Sequence, residues 1–198
     1  MVLISAILVL APHAQASFVL QQVPETAFVT TWETDNPGET NNSQILLPLE
    51  QGGTYNFTVW WGDGTNETIT RWNQTSANHT YPAPGTYNVT INGTLRGWRF
   101  NNGGDAKKLL DVKQWGSMHF GNNGSYFYGA THMIITANDT PNLTGTTNML
   151  RAFRSTNLSV ANNIGNWNMS QVADIVQMFG YSEFNSSIES WNVKSVER

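Results

Sequence analysis

The second half of the chain repeats at an interval of 24 to 26 residues, and this repeat constrains the fold more than any other feature. Residues 167–174 recur as 191–198, and residues 143–153 recur as 169–179. A unit of this length cannot bury its apolar face alone, so successive units must stack and share one core. The period itself lies in the range of leucine-rich repeats.

Each unit is expected to contain a short helical turn that ends near Phe153 or Phe179, a loop, and a short strand after the Trp. Arg198 falls inside a unit, so we expect further repeats or another subunit to cover that end. The apolar residues predicted to form one continuous core are Met149, Phe153, Ile164, Trp167, Met169, Val172, Ile175, Met178, Phe179, Phe184, Ile188 and Trp191.

The region before the repeats has the pattern of short strands and turns. β-Branched and aromatic residues alternate or cluster at 28–32, 44–49, 55–60, 68–72 and 86–91. Turn signals rich in Asn, Pro and Gly separate these runs. This spacing favours an antiparallel sandwich over βαβ units.

Three motifs stand in this region: Val-Trp-Trp-Gly-Asp-Gly-Thr at 59–65, His-Thr-Tyr at 79–81, and Pro-Gly-Thr-Tyr-Asn-Val-Thr-Ile at 84–91. Together they resemble the polycystic-kidney-disease (PKD) domain, an immunoglobulin-like sandwich of extracellular proteins. We expect Asp63 to bond the backbone of its own turn, and His79 to orient that turn.

Residues 175–179 read Ile-x-x-Met-Phe, and residues 184–193 read Phe-Asn-x-x-Ile-x-x-Trp-Asn-Val. This frame is similar to the BspA-like leucine-rich-repeat surface proteins. The resemblance implies adhesion to proteins or matrix of a host or a neighbouring cell. The segments that resemble the part by which those proteins join a PKD-like sandwich to the array are 100–105, 109–116, 127–130 and 137–143.

These patterns and resemblances predict a mainly β protein in two parts, an antiparallel PKD/Ig-like β-sandwich followed by a short leucine-rich-repeat (α/β) solenoid. The repeats are expected to be incomplete at the C-terminus. The expected boundaries are a signal peptide at 1–16, a linker at 17–27, the sandwich at 28–95, a joining segment at 96–142 and the repeats at 143–198.

Charge and cysteine content exclude several classes of function. The formal net charge is −4 and only 12% of residues are charged, so no basic stripe can follow a nucleic-acid backbone. The chain has no cysteine, which excludes disulfides, thiolate zinc sites and a cysteine nucleophile. Amides and hydroxyls supply most of the polarity, which is unusual for a cytosolic enzyme.

Asn-x-Ser/Thr glycosylation acceptors are over-represented. The chain holds 23 Asn, and 36 of its 198 residues are Ser or Thr, so chance would give about four acceptors. Thirteen are present, which predicts a heavily N-glycosylated exterior. The alternative is that Thr-rich strands and Asn-rich turns create acceptors by chance. The acceptors are Asn41, Asn56, Asn66, Asn73, Asn78, Asn88, Asn92, Asn123, Asn138, Asn142, Asn157, Asn168 and Asn185.

The N-terminus has features of an export signal. An apolar run from Val2 to Ala11 precedes Ala14-Gln15-Ala16, a site that would be cleaved before Ser17. Ten apolar residues are too few to span a bilayer, so we expect no membrane span. The alternative is an uncleaved hydrophobic strand or a short pilin-like helix used in assembly.

The sequence contains no catalytic constellation. Its four histidines form no pair at metal-ligand spacing, and no glycine-rich loop carries the Lys-Ser/Thr of a phosphate site. Asp105 and Asp111 are the best candidates for a glycosidase pair, but the repeat interpretation makes both solvated. We therefore expect no enzyme activity, no cofactor and no metal.

Binding is the more plausible role. The aromatic residues Trp60, Trp61, Trp72, Trp98 and 126–128 are too many for a small sandwich to bury, so they form either a contact surface or a cap between the two parts. The concave strand face of a repeat array is a second candidate recognition surface. Its expected residues are Lys113, Thr144, Ser170, Gln171, Lys194 and Ser195.

These observations lead to three hypotheses of different classes. The first is a secreted, glycosylated, non-enzymatic surface protein that binds an extracellular protein or glycan. The second is a self-assembling structural subunit of an extracellular filament, coat or surface layer. The third is an accessory module for carbohydrate processing.

Overall fold

The computed structural model describes residues 23–198, so the predicted signal peptide at 1–16 and most of the predicted linker at 17–27 lie outside the described residues. The helical segments of the described part are three short 3-10 turns, at Thr75–Ala77, Ala106–Lys108 and Ile164–Asn166. Its strands are β1 (Phe28–Glu33), β2 (Gln44–Leu46), β3 (Leu49–Trp60), β4 (Asn66–Ile69), β5 (Asn78–Thr80), β6 (Thr86–Trp98), β7 (Leu109–Gln114) and β8 (Ile134–Ile135).

Six strands form a mixed sheet in the order β4-β3-β6-β1-β7-β8, and β2 pairs with β5 in a second sheet. Every pairing is antiparallel except that of β7 with β8. In β3, Tyr55, Phe57 and Val59 are buried, whereas Asn56 and Trp60 on the opposite face are exposed. One face of the large sheet therefore packs into the core, and the other is mainly polar.

The predicted division into a separate sandwich and repeat array is wrong. Strand β7 lies within the predicted joining segment, yet it pairs antiparallel with β1. Strand β8 then extends the same sheet in parallel. The physical reason is that β6 satisfies only one edge of β1, and β7 satisfies the backbone groups of the other edge.

The predicted α/β solenoid is also wrong, because residues 23–198 contain no α-helix. The helical turn expected near Phe153 is a tight turn flanked by Arg151 and Ser155, whose φ angles are 52° and 54°. The turn around Phe179 is flanked in the same way. Left-handed residues four positions apart interrupt the run of right-handed dihedrals that a helix needs.

The sequence repeat is instead visible in the backbone hydrogen bonds of residues 117–198, which we call the stacked turns. The amide of Ser125 donates to the carbonyl of Leu150 at 2.7 Å. The amide of Met149 donates to the carbonyl of Asp174 at the same distance. Segments about 25 residues apart thus run parallel and satisfy one another's backbone groups.

The twelve apolar repeat residues form one core, as predicted. Eight of them are buried, and the other four pack against these while partly buried. Phe153 lies between Phe127 and Phe179, with ring centroids 5.3 and 5.9 Å away. Trp98 on β6 lies 6.4 Å from Phe127, so the core continues from the sheet into the stacked turns.

The aromatic residues considered as a contact surface divide into two groups. Trp61, Trp98 and the pair 126–127 are buried in the common core. Trp60 and Trp72 are 41% and 43% exposed. Only these two tryptophans of the set are therefore available for contacts outside the core.

Candidate functional site

Four predicted acceptors lie on the solvent-facing side of the six-stranded sheet, which we call the outer sheet face. They are Asn56 on β3, Asn66 on β4, and Asn88 and Asn92 on β6. Residues i and i+2 of a strand point to the same side, so each Asn and its acceptor Thr both face outward. The residue between them points the other way, as the burial of Phe57 illustrates.

Four other acceptors stabilise turns, because the Oδ1 atom of each accepts the amide N–H two residues later. Their N–H to Oδ1 distances are 2.9 to 3.2 Å, and the residues are Asn41, Asn142, Asn157 and Asn168. The same turn forms at Asn148, which is followed two residues later by Leu150, and at Asn192, which is followed by Lys194. The turn thus requires the Asn but not the Ser or Thr that completes an acceptor.

All thirteen predicted acceptors are accessible to solvent. Ten are exposed, and Asn92, Asn142 and Asn157 are partly exposed. Two of the thirteen have the amide nitrogen already engaged. Nδ2 of Asn123 donates to Oε2 of Glu50 at 2.8 Å, and Nδ2 of Asn142 lies 3.0 Å from Nε2 of His119.

The surroundings of His119 at this contact favour its neutral form. Burial lowers its pKa, and the positive charge of Arg96 lowers it further. A neutral ring leaves Nε2 free to accept the hydrogen bond from Asn142, because imidazole has one acceptor nitrogen only when uncharged. The Asn142 side chain is therefore fixed by both its oxygen and its nitrogen.

The predicted recognition face comes together only in part. Thr144 and Gln171 line one cavity of about 200 Å³. Oε1 of Gln171 accepts the amide of Gly145 at 2.9 Å, which fixes that side chain. The Ser195 hydroxyl donates to the carbonyl of Ser170 at 2.7 Å, so these two residues are neighbours.

The two predicted lysines lie apart from that cavity. Lys113 lines a larger and more open cavity of about 750 Å³ together with Asn138, Asp139 and Asn163. Lys194 is exposed, and its amide closes a turn on the preceding Asn. The cavity of Thr144 and Gln171 is thus the part of the predicted face that the fold assembles.

A cationic and aromatic cluster on the stacked turns was not predicted from the sequence. The guanidinium carbon of Arg154 lies 5.5 Å from the ring centroid of Tyr128 and 4.5 Å from that of Tyr181. Tyr181 is 81% exposed. The spacings of 26 and 27 residues between these positions are close to the repeat period of 24 to 26 and are the signal that could have revealed the cluster.

The expectation that Asp105 and Asp111 are solvated is wrong. Asp105 is fully buried, and it accepts the amides of Thr40 and Leu46 at 3.0 and 2.8 Å. Asp111 is 8% exposed and accepts the amide and hydroxyl of Thr136. Buried carboxylates need such donors, so both serve the fold.

Asp105 is accompanied by a buried ammonium. Lys108 is fully buried, and its Nζ lies 3.8 Å from Asp105. The same Nζ donates to the carbonyls of Thr40, Asn41 and Gln44 at 2.7 to 3.2 Å. This pair anchors the loop before β2 to the 3-10 turn before β7.

The turn expected at Asp63 forms as predicted. Oδ1 of Asp63 accepts the amide of Thr65 at 2.9 Å, and Oδ2 lies 2.8 Å from Nε2 of His79. The His79 ring also stacks on Trp61, with centroids 4.6 Å apart. Burial opposes ionisation of Asp63, but the hydrogen bonds from Thr65 and His79 outweigh it, so the pKa of Asp63 lies below its ordinary value.

Within residues 23–198, no three His, Asp or Glu side chains come together in a way that could hold a metal ion. No helix of this part of the chain is long and apolar enough to cross a membrane.

Comparison with known proteins adds one similarity. A family described as "Mycoplasma protein of unknown function, DUF285" matches residues 147–198. This interval lies within the stacked turns and covers roughly a quarter of the chain. No curated protein and no solved structure matches the chain.

Proposed function

We propose that this protein is a secreted, N-glycosylated surface protein without catalytic activity, which recognises an extracellular protein or glycan. The observation that carries the proposal is the accessibility of all thirteen acceptor asparagines. The sequence resemblance to the BspA-like surface proteins supports an extracellular adhesive role.

The turn geometry argues against a purely structural origin of the acceptors. Asn148 and Asn192 form the same turn as Asn142 and Asn168, but Leu or Lys occupies the position two residues later. Because this turn tolerates several residues at that position, its asparagines alone do not account for the excess of acceptors. Strand alternation accounts for outward Asn and Thr on the sheet but does not require their combination.

The recognition surface we propose is the cavity lined by Thr144 and Gln171, together with the neighbouring Ser170 and Ser195. Hydroxyl and amide groups of this kind donate to and accept from both peptide and sugar groups. Gln171 is already oriented by the Gly145 amide, which reduces the entropy lost on binding.

The first experiment tests export and glycosylation. The full chain, including residues 1–16, is expressed in a eukaryotic secretion host, and the mass of the secreted protein is measured before and after glycosidase treatment. We expect secretion, cleavage before Ser17 and several occupied acceptors. A protein that stays in the cell, or is secreted without any glycan, contradicts the proposal.

The second experiment tests recognition. The labelled secreted protein is applied to an array of extracellular-matrix proteins and purified glycans, and any binding is compared with that of Q171A, which leaves every acceptor sequence intact. We expect at least a tenfold loss of affinity in this variant, with E189Q as an exposed control that binds normally. Equal binding by Q171A would contradict the assignment of this cavity as the recognition surface.

A further inference from the structure

Trp60 is a large apolar side chain on an otherwise polar surface. It lies at the end of β3 on the outer sheet face and is 41% exposed. Its Cα partners are Asn66 on β4 and Thr90 on β6. Side chains that face each other on neighbouring antiparallel strands have Cβ atoms about 5 Å apart, so a glycosylation acceptor stands beside an exposed indole.

Asn66 is also less constrained than Asn88 and Asn92, two other acceptors of this face. Oδ1 of Asn88 accepts the Thr31 hydroxyl at 2.8 Å, and Oδ1 of Asn92 accepts the Thr26 hydroxyl at 3.0 Å. No hydrogen bond of this kind holds the Asn66 side chain within residues 23–198. A sugar on Asn66 can therefore adopt the rotamer that brings it over its cross-strand neighbour.

The chemistry of a linked sugar matches that of the exposed indole. A pyranose ring of N-acetylglucosamine type has one face made of C–H groups, and its hydroxyls point outward around the rim. Packing that face on an indole removes apolar surface of both groups from water, while the hydroxyls stay hydrated. The Thr and Asn side chains around Trp60 can bond the rim of the sugar.

We propose that the first sugar linked to Asn66 packs against the Trp60 ring, so that the glycan is part of the outer sheet face. This inference rests on the proposed glycosylation and adds a specific contact to it. The group that covers the exposed indole ring is thus the chain's own carbohydrate.

Asn56 provides the matched control. It lies on the same face of the same strand, it is exposed, and its Cα partner on β6 is Thr94. It precedes Trp60 by four residues, which is about 13 Å along a strand. A sugar on Asn56 therefore has a hydroxyl-bearing side chain, rather than an indole, as its cross-strand neighbour on β6.

The experiment is a double-mutant cycle in glycosylated and unglycosylated protein. Wild type, W60T, N66Q and W60T/N66Q are secreted from a eukaryotic host, and the same four proteins are refolded from bacteria. Glycopeptide mass spectrometry measures the occupancy of Asn66, and thermal unfolding measures Tm. N56Q and W60T/N56Q are the controls, and W60F retains an aromatic ring if W60T folds poorly.

We expect N66Q to lower Tm by about 2–4 °C when Trp60 is present, the shift that a single aromatic contact gives in a chain of this size. It should have little effect in the W60T background, and the coupling should vanish in the bacterial proteins. Trimming the glycan to its first sugar should preserve the effect. N56Q should shift Tm equally with and without Trp60.

The other outcomes overturn the inference in distinguishable ways. If Asn66 carries glycan but its effect on Tm is not coupled to Trp60, the contact is refuted and the proposed glycosylation stands. If Asn66 is empty while other acceptors carry glycan, the contact is likewise refuted and the proposed glycosylation stands. A chain with no glycan at any acceptor refutes both proposals. A last outcome is that a free chito-oligosaccharide quenches the tryptophan fluorescence of N66Q while the wild type shows no coupling between Asn66 and Trp60. That result would mean that Trp60 binds an external sugar rather than the chain's own glycan.

Discussion

Phe153 stacks on Phe127 with ring centroids 5.3 Å apart and ring planes 8° from parallel. Both rings are fully buried, and the two residues lie 26 positions apart in the sequence. The contact therefore joins successive layers of the stacked turns, and Phe179 continues the stack on the other side of Phe153. A residue at the centre of such a stack has ring neighbours above and below.

F153A should lower the free energy of unfolding by about 3–5 kcal/mol, because it removes a buried ring and leaves a cavity. Urea unfolding followed by tryptophan fluorescence measures the change. V160A is the control, since Val160 is 40% exposed and its truncation should cost well under about 1 kcal/mol. Similar losses in the two variants would mean that the stack contributes little.

K108M should destabilise the protein by about 3–5 kcal/mol, because it leaves the Asp105 carboxylate buried without its cation. It also removes the Nζ donor that the carbonyls of Thr40, Asn41 and Gln44 share. K107M is the matched control, since Lys107 is the exposed neighbour in the same 3-10 turn. Chemical denaturation should separate the two variants clearly, and equal midpoints would contradict the anchoring role of Lys108.

Asp63 should make stability depend on pH in the acid range. Its pKa is lowered from 3.8 because the bonds from Thr65 and His79 outweigh burial. A carboxyl with a lowered pKa contributes stability above its unfolded pKa, and the contribution disappears as the pH falls through the folded pKa. The stability difference between wild type and D63A should thus be constant above about pH 5 and shrink below 3.8. Urea unfolding at a series of pH values measures it, and a difference independent of pH would refute the role.

His119 should make the stability of the protein depend on pH in a higher range than Asp63 does. Burial and Arg96 lower its pKa from 6.5, so the unfolded chain takes up a proton at a higher pH than the folded chain does. The stability contribution of the neutral ring is complete above 6.5 and falls as the pH drops through the folded pKa. H119Q should lose this dependence in unfolding measurements between pH 7 and 5, whereas H132Q at an exposed position should retain it. Unchanged curves in H119Q would contradict a lowered pKa of His119 in the folded chain.

Much of the core could be predicted from the sequence because apolar residues recur with the repeat. The periodic set around Phe153 and Trp167 all enters one core. The division of the chain could not be predicted, because pairing between β1 and β7 joins residues about 80 positions apart, and no local pattern encodes such a pairing. The prediction of helical turns was wrong for a local reason, since Arg151 and Ser155 adopt left-handed dihedrals that their residue types rarely take.

The candidate sites divide in the same way. Acceptor motifs are local, so their positions could be read directly, and the polar alternation of β3 explains why Asn56 faces solvent. The burial of Asp105 could not be inferred, because it depends on Lys108 and on backbone donors some 60 residues away. Thr144 and Gln171 lie about one repeat unit apart and line one cavity, whereas Lys113 precedes the repeats and lines another.

Occupancy of the acceptors should differ according to the freedom of the amide nitrogen to which the sugar is linked. Nδ2 of Asn123 donates to Glu50 at 2.8 Å, so Asn123 should be modified less completely than the exposed Asn185 wherever the enzyme meets the folded chain. E50A removes the acceptor and should raise the occupancy at Asn123, measured by quantitative glycopeptide mass spectrometry. Occupancy at Asn185 should stay constant and serves as the internal control. If E50A leaves the Asn123 occupancy unchanged, the hydrogen bond to Glu50 does not limit modification there.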